Sequence, residues 1–263
     1  MQNIAKYSSI VLLVLTAILL IPLQMHFIGW SFFALGILSL CFCTKQVRKD
    51  IALIYLSLGL LGLTPITTDI SLGHMFHMGT LLGLAVLLPY VISRFVYKDH
   101  LVRFQWHHGR SWYKTELFYI GLTAVVAYLL LPFMLRVTGS YLNWTVAPGA
   151  WNLFVLFLGT NGLGIWDELF FVCTVLGILK RHLSFRWANL AQAIMFTSFL
   201  YELGFRGWCF VVIFLFALLQ GYIFKKTESV LYVITIHLTL DFILYLVLIH
   251  AYHPSWLPLF IIK

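Results

Sequence analysis

Charge is what this chain has least of. Charged side chains make up 10% of its 263 residues, and only nine residues are acidic, where a soluble domain carries roughly 25% charge. That scarcity excludes a water-soluble globular protein and any sizeable domain outside a membrane. Cysteine is almost as scarce. Cys41, Cys43, Cys173 and Cys209 are scattered, which gives neither a disulfide framework nor the spacing of a zinc site. No His-Glu-x-x-His stretch occurs, so the helical zinc-protease signature is missing. No inverted repeat relates the two halves, which counts against a secondary transporter.

What the chain has instead is apolar length. Hydrophobic residues make up 62% and aromatics 17%, and mean hydropathy is +0.95. Apolar stretches recur along the whole sequence, many near the ~20 residues that cross a bilayer core. They predict an all-α, polytopic membrane bundle of about nine spans, forming one integral membrane domain over 1–263. The expected spans are Ser8–Leu23, Phe27–Cys43, Ile51–Thr64, Gly73–Tyr97, Glu116–Arg136, Trp151–Leu179, Trp187–Leu203, Gly207–Phe224 and Ser229–His250. The first lacks a small-residue cleavage pattern and reads as a retained span. The sixth is long enough to be two pieces.

Positive charge marks alternate connections. Lys45, Arg48 and Lys49, the stretch from Arg94 to Lys114, Lys180, Arg181 and Arg186, and Lys225 and Lys226 fall on one side. Placing them in the cytoplasm puts the amino terminus inside, in a multi-pass protein expected in a bacterial inner membrane. The net charge of +8 is then a positive-inside signal directed at membrane lipid and not a nucleic-acid footprint. Tyr97–Tyr113, with Trp106, Trp112 and adjacent His107 and His108, reads as a segment lying in the headgroup layer.

Against this background four of the nine acids are out of place. Asp167, Glu168, Glu202 and Asp241 lie inside expected spans, and His237 stands one helical turn before Asp241. Ionisable groups at membrane depth are costly, so they face a protein interior or a wet cavity and mark function. Gly159, Gly162 and Gly164 precede the first pair and predict close helix approach or a break in the helix. His74 and His77 share a face of the fourth span. They read as a helix-to-helix polar contact, with Glu202 a further partner for either.

Three segments, Asp167-Glu168-Leu-Phe-Phe-Val172, Ser198-Phe-Leu-Tyr-Glu202 and His237-Leu-Thr-Leu-Asp241, resemble the CAAX-protease and bacteriocin-processing family of intramembrane endopeptidases, which includes the type II CAAX prenyl endopeptidases. That family carries Glu-Glu-x-x-x-Arg, then Phe-x-x-x-His, then His-x-x-x-Asn or His-x-x-x-Asp. The resemblance makes 151–250 the core and leaves 1–136 as amino-terminal helices of unassigned role. It implies that Asp167 and Glu168 activate water while His237 and Asp241 bind the oxyanion. Glu202 stands where the family has histidine, Val172 where it has arginine, Ser198 where it has phenylalanine and Asp167 where it has glutamate.

A carboxylate-rich site can still hydrolyse a peptide when close carboxyls share protons, one serving as base and another as acid. The expected activity is therefore glutamic-type cleavage of a membrane-associated peptide or protein without a cofactor. Glu168, Glu202, His237 and Asp241, with Asp167, also form a donor set for one divalent metal such as Zn. Beside the protease stand an inactive pseudoprotease of the same fold, which would bind a membrane partner, and, further off, an ion-coupled transporter.

Overall fold

The computed structural model describes residues 2–106, 109 and 111–260. Among them are nine helices and no strand. They are α1 (Gln2–Leu20), α2 (His26–Leu40), α3 (Lys45–Gly62), α4 (Leu72–Val96), α5 (Lys114–Thr138), α6 (Ala150–Leu179), α7 (Phe185–Glu202), α8 (Cys209–Thr227) and α9 (Val230–Tyr252). By length and composition α1, α4, α5, α6, α8 and α9 can each cross a membrane. The other three are shorter or more polar, yet every expected span contains a helix.

Local chemistry sets the helix ends. The Thr44 hydroxyl accepts the Val47 N–H, so α3 starts at Lys45, well before its apolar run. The Glu116 carboxylate accepts the Tyr113 N–H at 2.7 Å and caps α5. That helix closes on Gly139, whose φ of 68° is left-handed, a conformation glycine adopts at little cost. Inside the bundle, hydroxyls turn back onto their own helix, as Thr16 does onto the Leu12 carbonyl, so few donors face lipid. Pro89, within α4, cannot donate to the carbonyl of Ala85. Ser57 of α3 donates to that carbonyl instead, at 2.6 Å, and locks the two helices together.

In the amino-terminal part α1 and α2 form a tight hairpin, α3 packs on α4, and the Tyr55 hydroxyl of α3 donates to the Ser9 carbonyl of α1 at 2.8 Å. Helix α6 is the hub, packed on α4, α7 and α9, and it is the most buried of the six spanning helices. Helix α5 rests on α9 and scarcely meets α8.

Two expectations change here. Helix α6 is one continuous element, not two pieces, and its glycines do not break it. From Glu168 to Leu176 it runs as a π-helix, with the Thr174 hydroxyl reaching the Leu169 carbonyl at 2.9 Å. Tyr97–Tyr113 is also more than a surface strip. Phe104 stacks on Tyr90 at 5.3 Å, Val102 is buried, and the Gln105 and Trp106 carbonyls accept the Val230 and Leu231 N–H groups at the head of α9. His107, His108 and Arg110 lie outside the described residues.

Candidate active site

The π segment places Asp167 and Glu168 back to back. A π turn carries an extra residue, so side chains after it are displaced around the axis relative to an α-helix. Both acids are buried. Glu168 points towards α8 and α9, where its Oε1 accepts Gln220 Nε2 at 2.7 Å and sits 2.8 Å from His237 Nδ1. Nδ1 is the ring nitrogen engaged with that shared oxygen, and Nε2 is the nitrogen left facing the other acids. It lies 3.9 Å from Asp167 Oδ2 and 3.8 Å from Asp241 Oδ1. Asp241 follows His237 by one turn of α9 and so stands on the same face.

Two features hold this group in shape. Gly164 faces Asp241, and a Cβ there would overlap Asp241 Oδ2 and crowd the His237 ring. The expected close helix approach is therefore made at this glycine, whereas Gly162 has nothing within 4 Å of its Cβ position. The imidazole is flanked by Phe196 and Phe216, with centroids 5.9 and 5.2 Å away. Behind the acids, Trp166, Phe170, Phe171 and Phe199 form an aromatic wall. The Trp166 Nε1–H of that wall donates to the Leu82 carbonyl of α4 at 2.7 Å.

Asp167, His237, Asp241 and Gly164 line a cavity of about 750 Å³ between α5, α8 and α9. It is within the usual size for a ligand site, and its walls are mostly apolar. Leu215 and Leu219 on α8 and Leu122 and Val126 on α5 line it and are themselves exposed on the outside of the bundle. The cavity thus lies where α5 and α8 part, against the lipid-facing side. Three buried carboxylate oxygens of this cluster accept no hydrogen bond from the described residues: Asp167 Oδ1, Glu168 Oε2 and Asp241 Oδ2. Such orphaned acceptors are rare in native interiors.

Glu202 is not part of this group. It ends α7, where Gln24, from the α1–α2 turn, donates to its Oε1 and Arg206 approaches Oε2 at 4.0 Å. The expected convergence of five side chains becomes a cluster of four, because a residue at a helix end cannot reach acids set deep along α6 and α9. Glu202 does not pair with the fourth-span histidines either, since His74 bonds Thr67 at 3.0 Å. Val172 and Ser198 are buried. Val172 sits in apolar packing where the related motif has arginine, and the Ser198 hydroxyl donates to the Ile194 carbonyl at 2.8 Å.

The metal alternative meets the same geometry. Among the described residues no group of three or more His, Cys, Asp or Glu side chains is arranged to hold a metal ion. His237 and Glu168 spend their nearest atoms on each other, and Glu202 is elsewhere.

Sequence reasoning assigned no role to Gln220, whose amide also donates to the Val233 carbonyl at 3.1 Å and so ties α8 to α9. The signal was there, as an uncharged amide in the apolar run Leu218-Leu219-Gln220 needs partners at membrane depth. Gln192 and Asn189 of α7 extend the polar seam, donating to the Ala217 and Leu218 carbonyls at 2.9 Å each.

Residues 149–243 match the family model described as Type II CAAX prenyl endopeptidase Rce1-like. The match contains Asp167, Glu168, Glu202, His237 and Asp241 and stops short of the amino-terminal half. No curated protein and no solved structure matches the chain.

Proposed function

We propose, from the match of residues 149–243 to that family model, that this protein is an intramembrane endopeptidase that cleaves a membrane-associated peptide or protein. Its water is activated by a buried carboxylate. The observation that carries the reading is the convergence of Asp167, His237 and Asp241 on one apolar cavity against the lipid-facing side, with Glu168 behind the histidine. An aliphatic or lipidated segment can lie along the walls of Leu215, Leu219, Leu122 and Val126 while its peptide bond reaches the polar end.

The division of labour follows from which atoms face the cavity. Asp167 removes a proton from the attacking water, because its Oδ1 has no protein donor. With both of its ring nitrogens protonated, His237 donates through Nε2–H, beside a protonated Asp241, to the oxyanion that forms as the carbonyl is attacked. The proton taken by Asp167 returns to the leaving amine. Glu168 is a positioning residue, fixing the imidazole through Nδ1 while Gln220 fixes Glu168. The basic loops face the cytoplasm in this reading, so the amino terminus is inside.

The test is cleavage of a lipid-modified CAAX-type reporter peptide by the full chain in liposomes. Asp167→Asn and His237→Ala should each lower turnover by a factor on the order of 10² or more. Wild-type turnover by Asp167→Asn would overturn the assignment. A wild-type chain that cleaves nothing, yet complements a deletion equally well with or without Asp167 and His237, would make it a binding protein of the same fold.

A further inference from the structure

A second cavity, of about 440 Å³, opens on the face that carries the basic loops. It is built from three elements. The loop after α4 gives Asp99, His100 and Arg103, the end of α6 gives Lys180 and Arg181, and α8 gives Phe224. Cys173 and Gly177 form its inner side, and the Cβ position of Gly177 has nothing within 4 Å, which keeps the space open.

The charges do not cancel. Asp99 is already engaged. Its Oδ1 accepts the Ser93 hydroxyl at 2.9 Å and the Leu101 N–H at 3.2 Å, and its Oδ2 faces Lys49 at 3.2 Å. Arg181 leans on Asp50 at 3.3 Å. Among the described residues neither Lys180 nor Arg103 has a carboxylate within 4 Å. The Lys180 ammonium sits 5.6 Å over the Phe224 ring, and Arg103 Nε donates to the His100 carbonyl at 2.5 Å. Two cations with no anion of their own thus border a cavity at the expected lipid headgroup level. Recessed basic pockets between helices at that level bind anionic headgroups, and guanidinium with ammonium suits phosphate oxygens.

We infer that this cavity is a binding site for a phosphate-bearing anion, separate from the candidate active site, with Arg103 and Lys180 as the residues that hold it. A lipid headgroup and a free phosphate compound share this chemistry. The face on which the cavity opens favours the lipid.

The experiment uses the purified full chain in nanodiscs of phosphatidylcholine with a rising fraction of phosphatidylglycerol. It reads the unfolding midpoint and, by native mass spectrometry, the retained anionic lipid. The wild-type midpoint should rise with the anionic fraction. Arg103→Gln with Lys180→Gln should weaken retention on the order of tenfold to thirtyfold, since each surface cation is worth about 1 kcal/mol towards anionic lipid. Lys45→Gln with Arg186→Gln removes two exposed charges from the same face and should leave retention unchanged. Gly177→Leu, which fills the cavity without altering charge, should reproduce the loss. It keeps the inference testable if the double variant does not fold.

Equal loss in the Lys45/Arg186 variant would reduce the effect to diffuse surface charge and overturn the site. So would wild-type retention by both the double variant and Gly177→Leu. A parallel titration of inorganic phosphate in pure phosphatidylcholine discs separates the sources. A midpoint rise that depends on Arg103 and Lys180 would assign the cavity to a soluble phosphate, and no rise would assign it to lipid.

Discussion

The protein buries acidic groups in two places and treats them in opposite ways. Asp50, on α3, is fully buried, and both its oxygens are satisfied. Gln46 Nε2 donates to Oδ1 at 2.9 Å and to Oδ2 at 3.0 Å, and Oδ2 also meets His182 at 2.8 Å and Arg181 at 3.3 Å. Asp167, Glu168 and Asp241 are about as deeply buried, yet each keeps one oxygen with no donor from the protein. The first arrangement is a staple holding α3 to the α6–α7 connection. The second is a set of acceptors held ready beside a cavity. Burial of charge alone does not separate a strut from a site, and neither do leftover lone pairs, since Glu202 Oε2 also lacks a donor; what marks the second group is that such acceptors cluster beside a cavity.

The strongest way to break this comparison is a matched pair of amide substitutions. Asp167→Asn should reduce turnover by 10² or more and leave the unfolding midpoint unchanged or raised, because it replaces a carboxyl whose Oδ1 has no donor. Asp50→Asn should do the reverse, costing about 1–3 kcal/mol of stability by stranding the donors of His182 and Arg181, with turnover per folded molecule near wild type. Thermal unfolding and turnover measured on the same preparations separate the two, and identical behaviour of the two variants would erase the distinction. Next in size is Glu168→Gln, expected to lower kcat about tenfold with KM nearly constant, since it loosens the imidazole without touching the cavity wall. Gln220→Leu should follow in the same direction with a smaller loss. Glu202→Gln should stay within about twofold of wild-type turnover, for its contacts are Gln24 and Arg206 and not the cluster. A large loss there would reopen the five-residue site.

The smallest effect concerns pH on the basic face. Burial raises the Asp99 carboxyl, but the Ser93 and Leu101 hydrogen bonds and the Lys49 contact outweigh it and hold the group below the ordinary carboxylate value. A carboxyl depressed in the folded state adds stability above its unfolded pKa, and that contribution is lost as pH falls through the folded value. Acidification below the usual carboxylate range should therefore lower the unfolding midpoint slightly more in wild type than in Asp99→Asn, as a pH series of melts would read.

Much of this was legible beforehand, for identifiable reasons. Nine apolar runs became nine helices because backbone groups in lipid have few alternatives to helical bonding. Boundaries failed where polar residues extend a helix beyond its apolar run, as Lys45–Asp50 do once Thr44 caps α3. Asp167, Glu168, His237 and Asp241 stood out as ionisable residues in apolar text, and they meet. Glu202 stood out equally and does not, since motif alignment carries no information about depth along a helix. Asp50 drew no reading from the sequence, standing between a basic cluster and an expected span, although the fold buries it, and only three-dimensional pairing with His182 and Arg181, more than a hundred residues away, reveals its part. The π register of Glu168–Leu176 left no mark in hydropathy, which averages over the difference between 3.6 residues per turn and a wider coil.

That π register sets α6 apart, in its response to residue count, from the helices of purely α register. A π turn is an α turn with one residue in surplus, so the stretch stores an offset between its two ends. Deleting a single residue within it, such as Val175, would let the coil relax to α geometry. Everything on one side would then keep its orientation about the axis relative to the other, because the residue removed is the surplus one. Asp167 and the pair Lys180 and Arg181 could both keep their neighbours, and the cost would fall on the side chains within the stretch itself. The same deletion in the regular α register of α5 would turn everything beyond it by roughly 100° about the axis. The π stretch is thus where α6 is most forgiving of a lost residue.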